Sequence, residues 1–192
     1  MVRQMTGPDI EKNRDQAFID GFCALLVKSG ALKNRDAQEL QELFERSTAI
    51  YFEDFLLEED IVSKEDMLQT LSEYYQMPAV DVIGVFFDHH LVRMFPKDVM
   101  LRDGFIPFER DGDILLVIAA RPRHPALSQV IGDYVSYDVA YMVGIYNDIT
   151  DQVQEFYDQS IETAEIQMFE DTTDKHEEQE RLDDIVNGDE EE

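Results

Sequence analysis

The sequence predicts an α+β protein, with an N-terminal helical repeat subdomain of two helix pairs followed by a small α/β sandwich with a three-stranded sheet. Three observations carry that reading. FCALLVKSGALKNRDAQELQELF (Phe22 to Phe44) and FEDFLLEEDIVSKEDMLQTLSEYY (Phe52 to Tyr75) read as one helical unit written twice. FIPFERDGDILLVIA reads as two strands around a tight turn, and a helix, a strand and a helix follow it. The spacing divides the chain into an N-terminal arm and helix (1–20), a helical repeat subdomain (21–78), a small α/β subdomain (79–160) and a disordered acidic tail (161–192).

Taken in order, Gly7-Pro8 breaks the chain before a polar helical segment from about Asp9 to Asp20, which leads into the first repeat. Within the repeat, Leu26 and Val27 align with Leu56 and Leu57, and Ala31 and Leu32 with Ile61 and Val62, at one constant offset. Each copy is an apolar cluster, a break, and a run with apolar residues three or four apart, which is the period of a helix. Gly30 can take the left-handed conformation that ends the first helix, and Asn34 is placed to cap the next. In the second copy Ser63-Lys64-Glu65-Asp66 has the form of a capping box. Neither unit can bury its apolar face alone, so the two copies are expected to pack on each other.

Met77-Pro78 ends the second repeat, because proline pushes the preceding residue out of helical geometry. Ala79 to Phe87 reads as an extended connector. Short helical pieces follow over Leu91 to Phe95 and Lys97 to Arg102, the second closed by Gly104. Phe105 to Phe108 and Ile114 to Ala119 are the two strands of a hairpin, since the Asp111-Gly112 step supplies the positive backbone angles of a tight turn. Ala126 to Tyr134 is then a helix and Asp138 to Ile145 the third strand. A last helix over Ile149 to Tyr157 has Asn147 or Asp148 as its cap and Ile149, Val153, Phe156 and Tyr157 on one face. Phe86, Phe87, Phe95, Phe105 and Phe108 are expected in the core where the two halves meet.

Charge narrows the partners. The chain carries a formal charge of −27, and residues 161–192 hold 14 acidic residues against Lys175 and Arg181, a net of −12 that leaves −15 for residues 1–160. Nucleic acid and anionic membrane are disfavoured, because phosphates are bound by Lys and Arg surfaces. A protein surface is the expected partner. No apolar run reaches the roughly 20 residues of a membrane span, and the N-terminus lacks the apolar core of a signal peptide, so the cytoplasm is the expected compartment. The tail has too little apolar content to offset its ordering entropy, beyond a transient helix around Glu177 to Val186.

Chemistry is sparse. The sequence has no nucleophile elbow, HExxH, Cys-x-x-Cys or phosphate loop, so an enzyme is not expected and no cofactor is implied. His89-His90 lacks a second ligand cluster at metal spacing, because adjacent side chains point apart. The single cysteine, Cys23, reads as a buried structural thiol. The acidic run of the tail lacks the alternating ligands and central glycine of a Ca²⁺ loop.

The parts in order resemble the N-terminal domain of the assembly ATPases of bacterial type II secretion and type IV pilus systems, in the secretion-ATPase and MshEN-like forms. The stretches that carry it are ALLVKSGAL with its echo FLLEEDIV, MLQTLSEYYQMPAVDV, LVRMFPKDV, FIPFERDGDILLVIAARP and YNDITDQVQEFY, over roughly residues 20–160. The resemblance implies a regulatory or docking domain that binds a protein of a secretion or pilus machine, here as a stand-alone copy without the ATPase motor. It also raises cyclic di-GMP sensing. If that holds, the positions concerned are Gly21, Leu26, Val27, Gly30, Tyr51, Leu56 and Leu57. Relatives that bind the nucleotide open each repeat with Arg-Leu-Gly and carry a glycine after the doublet. This chain has Gly21-Phe22-Cys23 and Tyr51-Phe52-Glu53, with Gly30 in the first copy and Asp60 in the second, so cyclic di-GMP is not expected to bind. A third reading is a chaperone or mimic driven by the acidic tail.

Overall fold

The computed structural model describes residues 15–33 and 36–159. Four helices come first, α1 (Gln16–Ser29), α2 (Ala37–Arg46), α3 (Phe52–Glu58) and α4 (Lys64–Tyr75), so the two expected helix pairs are present. Asp15 starts α1 by accepting a hydrogen bond from the Phe18 N–H, and the helix runs unbroken from Gln16 into the first repeat. Residues 9–14 and Asn34, expected in a helix and at a cap, lie outside the described residues, as does the tail with its expected helix. Ser63 starts α4, its hydroxyl accepting from the Asp66 N–H at 3.1 Å and donating to the Asp66 carboxylate at 2.6 Å.

The breaks inside the two copies have the same geometry. Gly30 has φ 85° and its N–H donates to the Val27 carbonyl; thirty residues on, Asp60 has φ 52° and its N–H donates to the Leu57 carbonyl. Leu32 and Val62 then fold back to the carbonyls of Leu26 and Leu56. The left-handed conformation is free for glycine and strained for aspartate. The copies pack reciprocally. Phe18 and Phe22 of α1 meet Tyr74 of α4, while Phe44 of α2 meets Phe52 and Phe55 of α3. Neither helix pair is thus self-contained, and Leu26, Leu56, Met67 and Leu71 fill one shared core.

After the connector, α5 (His89–Val92) and α6 (Lys97–Asp103) lead into β1 (Phe105–Asp111), β2 (Ile114–Ala119), α7 (Leu127–Gly132) and β3 (Asp138–Val143). The sheet order is β1-β2-β3, with β1 antiparallel to β2 and β2 parallel to β3. The order of helices and strands is the expected one. β1 runs three residues past Phe108, because Glu109, Arg110 and Asp111 find partners in Leu116, Leu115 and Ile114 after a register shift between Pro107 and Glu109. Ala79 forms a single parallel bridge with Val143, so the connector touches the sheet as it leaves the repeats.

Two expectations are corrected. Phe95 and Phe105 are buried and stack edge to face at 5.2 Å, but Phe86 is 97% exposed, because the connector turns it outward. The last helix, residues 146–159, begins before Asn147 and Asp148, which sit in its first turn, so neither is the cap. The Asn147 N–H is met instead by the Asp54 carboxylate on α3, at 3.5 Å. The chain divides into two units after Val153, and every numbered element lies in the first. Among the described residues, no helix is long and apolar enough to cross a membrane.

Candidate functional site

The positions singled out in the sequence do not gather around one opening. Gly21 lies on α1 under the Tyr74 ring, where an added Cβ would stand 3.1 Å from a ring carbon. Leu26 and Leu56 are fully buried, Val27 and Leu57 lie at the margin of the same core, and Gly30 ends α1. Tyr51 sits just before α3 with its ring 4.3 Å from that of Tyr146. Val27 lines an open groove of about 650 Å³ with Asp20, Cys23, Ala24, Ala37, Gln38 and Gln41. Tyr51 lines a different hollow, of about 110 Å³, with Arg102, Asp103, Arg121, His124 and Leu127.

The chemistry is concentrated where the second repeat opens. Glu53 and Asp54 are 1% and 3% exposed, which is rare for carboxylates without partners. They are buried because α3 is covered on nearly every side, with Phe52, Phe55 and Leu56 also in the core. Arg121, two residues past the apolar end of β2, reaches across and pairs with Glu53 through Nη1 and Oε1. Its guanidinium lies 4.5 Å from the Phe18 ring centre and 4.6 Å from that of Tyr51, so an ion pair and two cation–π contacts hold one side chain. The Arg123 guanidinium donates to the Tyr75 carbonyl beside it. Among the described residues, Glu53 Oε2 and Arg121 Nε and Nη2 find no hydrogen-bond partner.

Burial sets the protonation of this cluster. It pushes the Asp54 carboxyl up to about 8, with the Glu53 carboxylate adding to the rise and the Asn147 N–H and Arg121 opposing it. Burial likewise pushes the hydroxyls of Tyr51 and Tyr75 to about 12. Arg121 goes the other way: burial disfavours its charge, but Glu53 outweighs burial and holds the guanidinium charged. At neutral pH the cluster thus holds one ion pair and one protonated acid. Nothing in it is a nucleophile beside a base, and the free thiol of Cys23 is buried and pushed up in pKa by that burial.

Sequence reading missed Arg121, Glu53 and Asp54 as a unit. The available signal was an arginine between an apolar strand and Pro122, in AARP, and two acids inside FEDFLL, where the apolar residues flank them on both sides. Joining the two takes a contact between residues 68 positions apart, which periodicity does not report.

Residues 75–163 match the family model described as the MshEN domain. Among solved structures the chain is similar to MshE with cdg (cyclic di-GMP), with a TM-score of 0.57 and 18% identity over 71% of this chain and 98% of that one. It is also similar to the N-terminal domain of XpsE, with a TM-score of 0.53 and 17% identity over 70% of this chain and 92% of that one. No curated protein matches. The fold is that of these N-terminal domains, and the resemblance drawn from the motifs stands.

Proposed function

We propose that this chain is a non-enzymatic cytoplasmic adaptor that docks on a protein of a secretion or pilus machine, and that it does not sense cyclic di-GMP. The observation that carries the second half is the buried Glu53–Arg121 pair. A cyclic dinucleotide brings two phosphate charges and needs cationic or N–H donors with close backbone approach. Where the second repeat would offer an arginine and a glycine, this chain has Tyr51 and Glu53; of the arginines nearby, Arg121 is paired with Glu53, Arg102 with Asp103, and Arg123 donates to the Tyr75 carbonyl. Asp54 and Glu58 stand on the same helix. The first repeat has Gly21 and Cys23 at the matching positions, with Asp20 beside them.

The likeness to the N-terminal domains of MshE and XpsE supports the docking role, and the charge of −27 supports a protein partner with a basic surface. The tail, with its net of −12, tunes the encounter by long-range attraction, which weakens as salt shortens the Debye length from about 10 Å at 0.1 M to about 3 Å at 1 M. The division into arm, repeats, α/β part and tail belongs to this reading.

Titration calorimetry with cyclic di-GMP at micromolar protein and low salt tests it. No saturable heat is expected; stoichiometric heat that Leu57→Asp removes without lowering the melting temperature would restore the sensor reading. In parallel, a chain truncated at Ser160 should keep its protein partner and associate more slowly. If the isolated tail alone retained the partner, the tail-driven mimic would replace the adaptor.

A further inference from the structure

The connector between the repeats and the sheet holds the most exposed large apolar side chain among the described residues. Phe86 is 97% exposed, and Ile83, three residues before it, is 51% exposed. Each alone would be unremarkable on a protein surface; together, on one short segment built to a fixed shape, they are not.

Both ends of that segment are anchored. Asp81 is held by Lys64 at 2.7 Å, and the same ammonium reaches Asp148 at 3.0 Å, so one lysine ties the start of α4, the connector and the last helix together. The second Asp81 role is local, its carboxylate accepting from the Ile83 N–H at 3.1 Å. Val82 is fully buried, the Val85 N–H donates back to the Val82 carbonyl at 3.2 Å, and Gly84 takes φ 78° inside that turn. On the far side Phe87 packs edge to face on Phe108 at 6.3 Å, and Asp88 caps α5 by accepting from the His90 N–H at 2.7 Å. Neighbours on both sides of Phe86 are therefore fixed while its own ring points at water. A prepaid backbone lowers the entropy cost of presenting an aromatic side chain to a partner, and aromatic side chains dominate binding when seated in a pocket.

We infer that the Ile83–Phe86 segment is a docking knob for a protein partner whose surface offers an apolar socket rimmed by lysine and arginine. The inference rests on the adaptor reading and says where the contact is made. Charge selects the occupant: Asp88 follows the knob by two residues on a chain of net charge −27, which repels a second copy of itself, its own acidic tail and an anionic bilayer, and attracts a basic rim.

The test places the photo-crosslinking residue p-benzoylphenylalanine at position 86 of the full chain in cells, with a second chain labelled at the exposed Gln129 on α7 as the control. The captured protein is identified, purified and titrated against the wild-type chain, Phe86→Ala and Ile83→Ser. The expected result is an adduct from position 86 and not from 129, on a face of the partner bearing Lys and Arg. Phe86→Ala should weaken binding at least tenfold with an unchanged melting temperature, and the wild-type affinity should fall with salt. Adducts to a second copy, to the chain's own tail or to lipid would overturn the inference, as would a partner that binds Phe86→Ala as tightly as wild type. A partner captured from position 129 alone would overturn the knob while leaving the adaptor reading intact. Capture from neither position, with no partner retained by the truncated chain, would overturn both.

Discussion

The two repeat copies share a backbone and differ in what they bury. At an offset of thirty residues, Cys23 and Ala24 in the first copy stand where Glu53 and Asp54 stand in the second, and both copies then turn through the same left-handed residue. Around Cys23 and Ala24 the surface opens into a groove of about 650 Å³. Around Glu53 and Asp54 it is closed by Arg121, which arrives from the sheet. A duplicated scaffold thus yields one small apolar position beside solvent and one charged position locked to another part of the fold. The same helix turn can serve as surface or as keystone, and the choice lies in two side chains and in what is brought against them.

The largest effect should come from removing the lock. Arg121→Met leaves the Glu53 carboxylate buried without its partner, and breaking a buried ion pair from one side costs about 3 to 5 kcal/mol. Urea unfolding should report a loss of that size, and Arg121→Met combined with Glu53→Gln should recover most of it. Cys23→Ala, at the matching position of the first copy, should cost only about 1 kcal/mol, since a small thiol at the groove is lost. Similar losses at both positions would mean that the copies are energetically alike despite their chemistry.

A second experiment separates the copies by pH. Unfolded, the Asp54 carboxyl ionises near 3.8; folded, burial and Glu53 hold its proton up to about pH 8. The unfolded chain therefore binds fewer protons between these values, and the folded state loses stability as pH rises through that window, by up to about 1.4 kcal/mol per unit from this one group. Asp54→Asn should flatten the decline and raise stability near pH 8 relative to its value near pH 4, while Ala24→Ser in the first copy should leave the slope unchanged. An equally steep decline in Asp54→Asn would assign it elsewhere.

The smallest effect lies at the shared turn. Asp60→Gly relieves a strained left-handed residue and should stabilise by about 0.5 to 1 kcal/mol, whereas Gly30→Ala imposes the same strain and should cost about 1 kcal/mol. Thermal melts of the two single variants are enough to see opposite signs. Shifts of the same sign would break the equivalence of the turns.

Legibility followed the range of the interaction. The repeats, their turns and the hairpin were readable because each is fixed by residues within a few positions: Gly30 before Ala31-Leu32, Ser63 before Asp66, Asp111 before Gly112. The true partner of the last helix was not, because the carboxylate meeting the Asn147 N–H belongs to Asp54, far earlier in the chain. Phe86 was misplaced for a related reason. Its neighbours Val82 and Phe87 do pack inward, and composition alone does not distinguish the aromatic that the turn ejects. The charge cluster was invisible as a cluster: nothing local to FEDFLL reports Arg121, which only the fold brings against Glu53.

The single bridge between Ala79 and Val143 has a consequence for how copies of this chain meet each other in concentrated solution. Sheets grow between molecules through unpaired outer strands, and here the outer side of β3 is engaged at its last residue, with the Val80 N–H donating to the Val143 carbonyl and the Val143 N–H to the Pro78 carbonyl, both at 2.9 Å. On the opposite side β1 carries Pro107, which has no N–H to offer, a register shift just after it, and then Glu109, Arg110 and Asp111 in the open. Both flanks of the sheet are blunted, one by the chain's own connector and one by proline and charge. Strand addition between copies is thereby discouraged at the level of the backbone, and a stretch as apolar as ILLVIA can be carried in a three-stranded sheet without becoming a template for its neighbours.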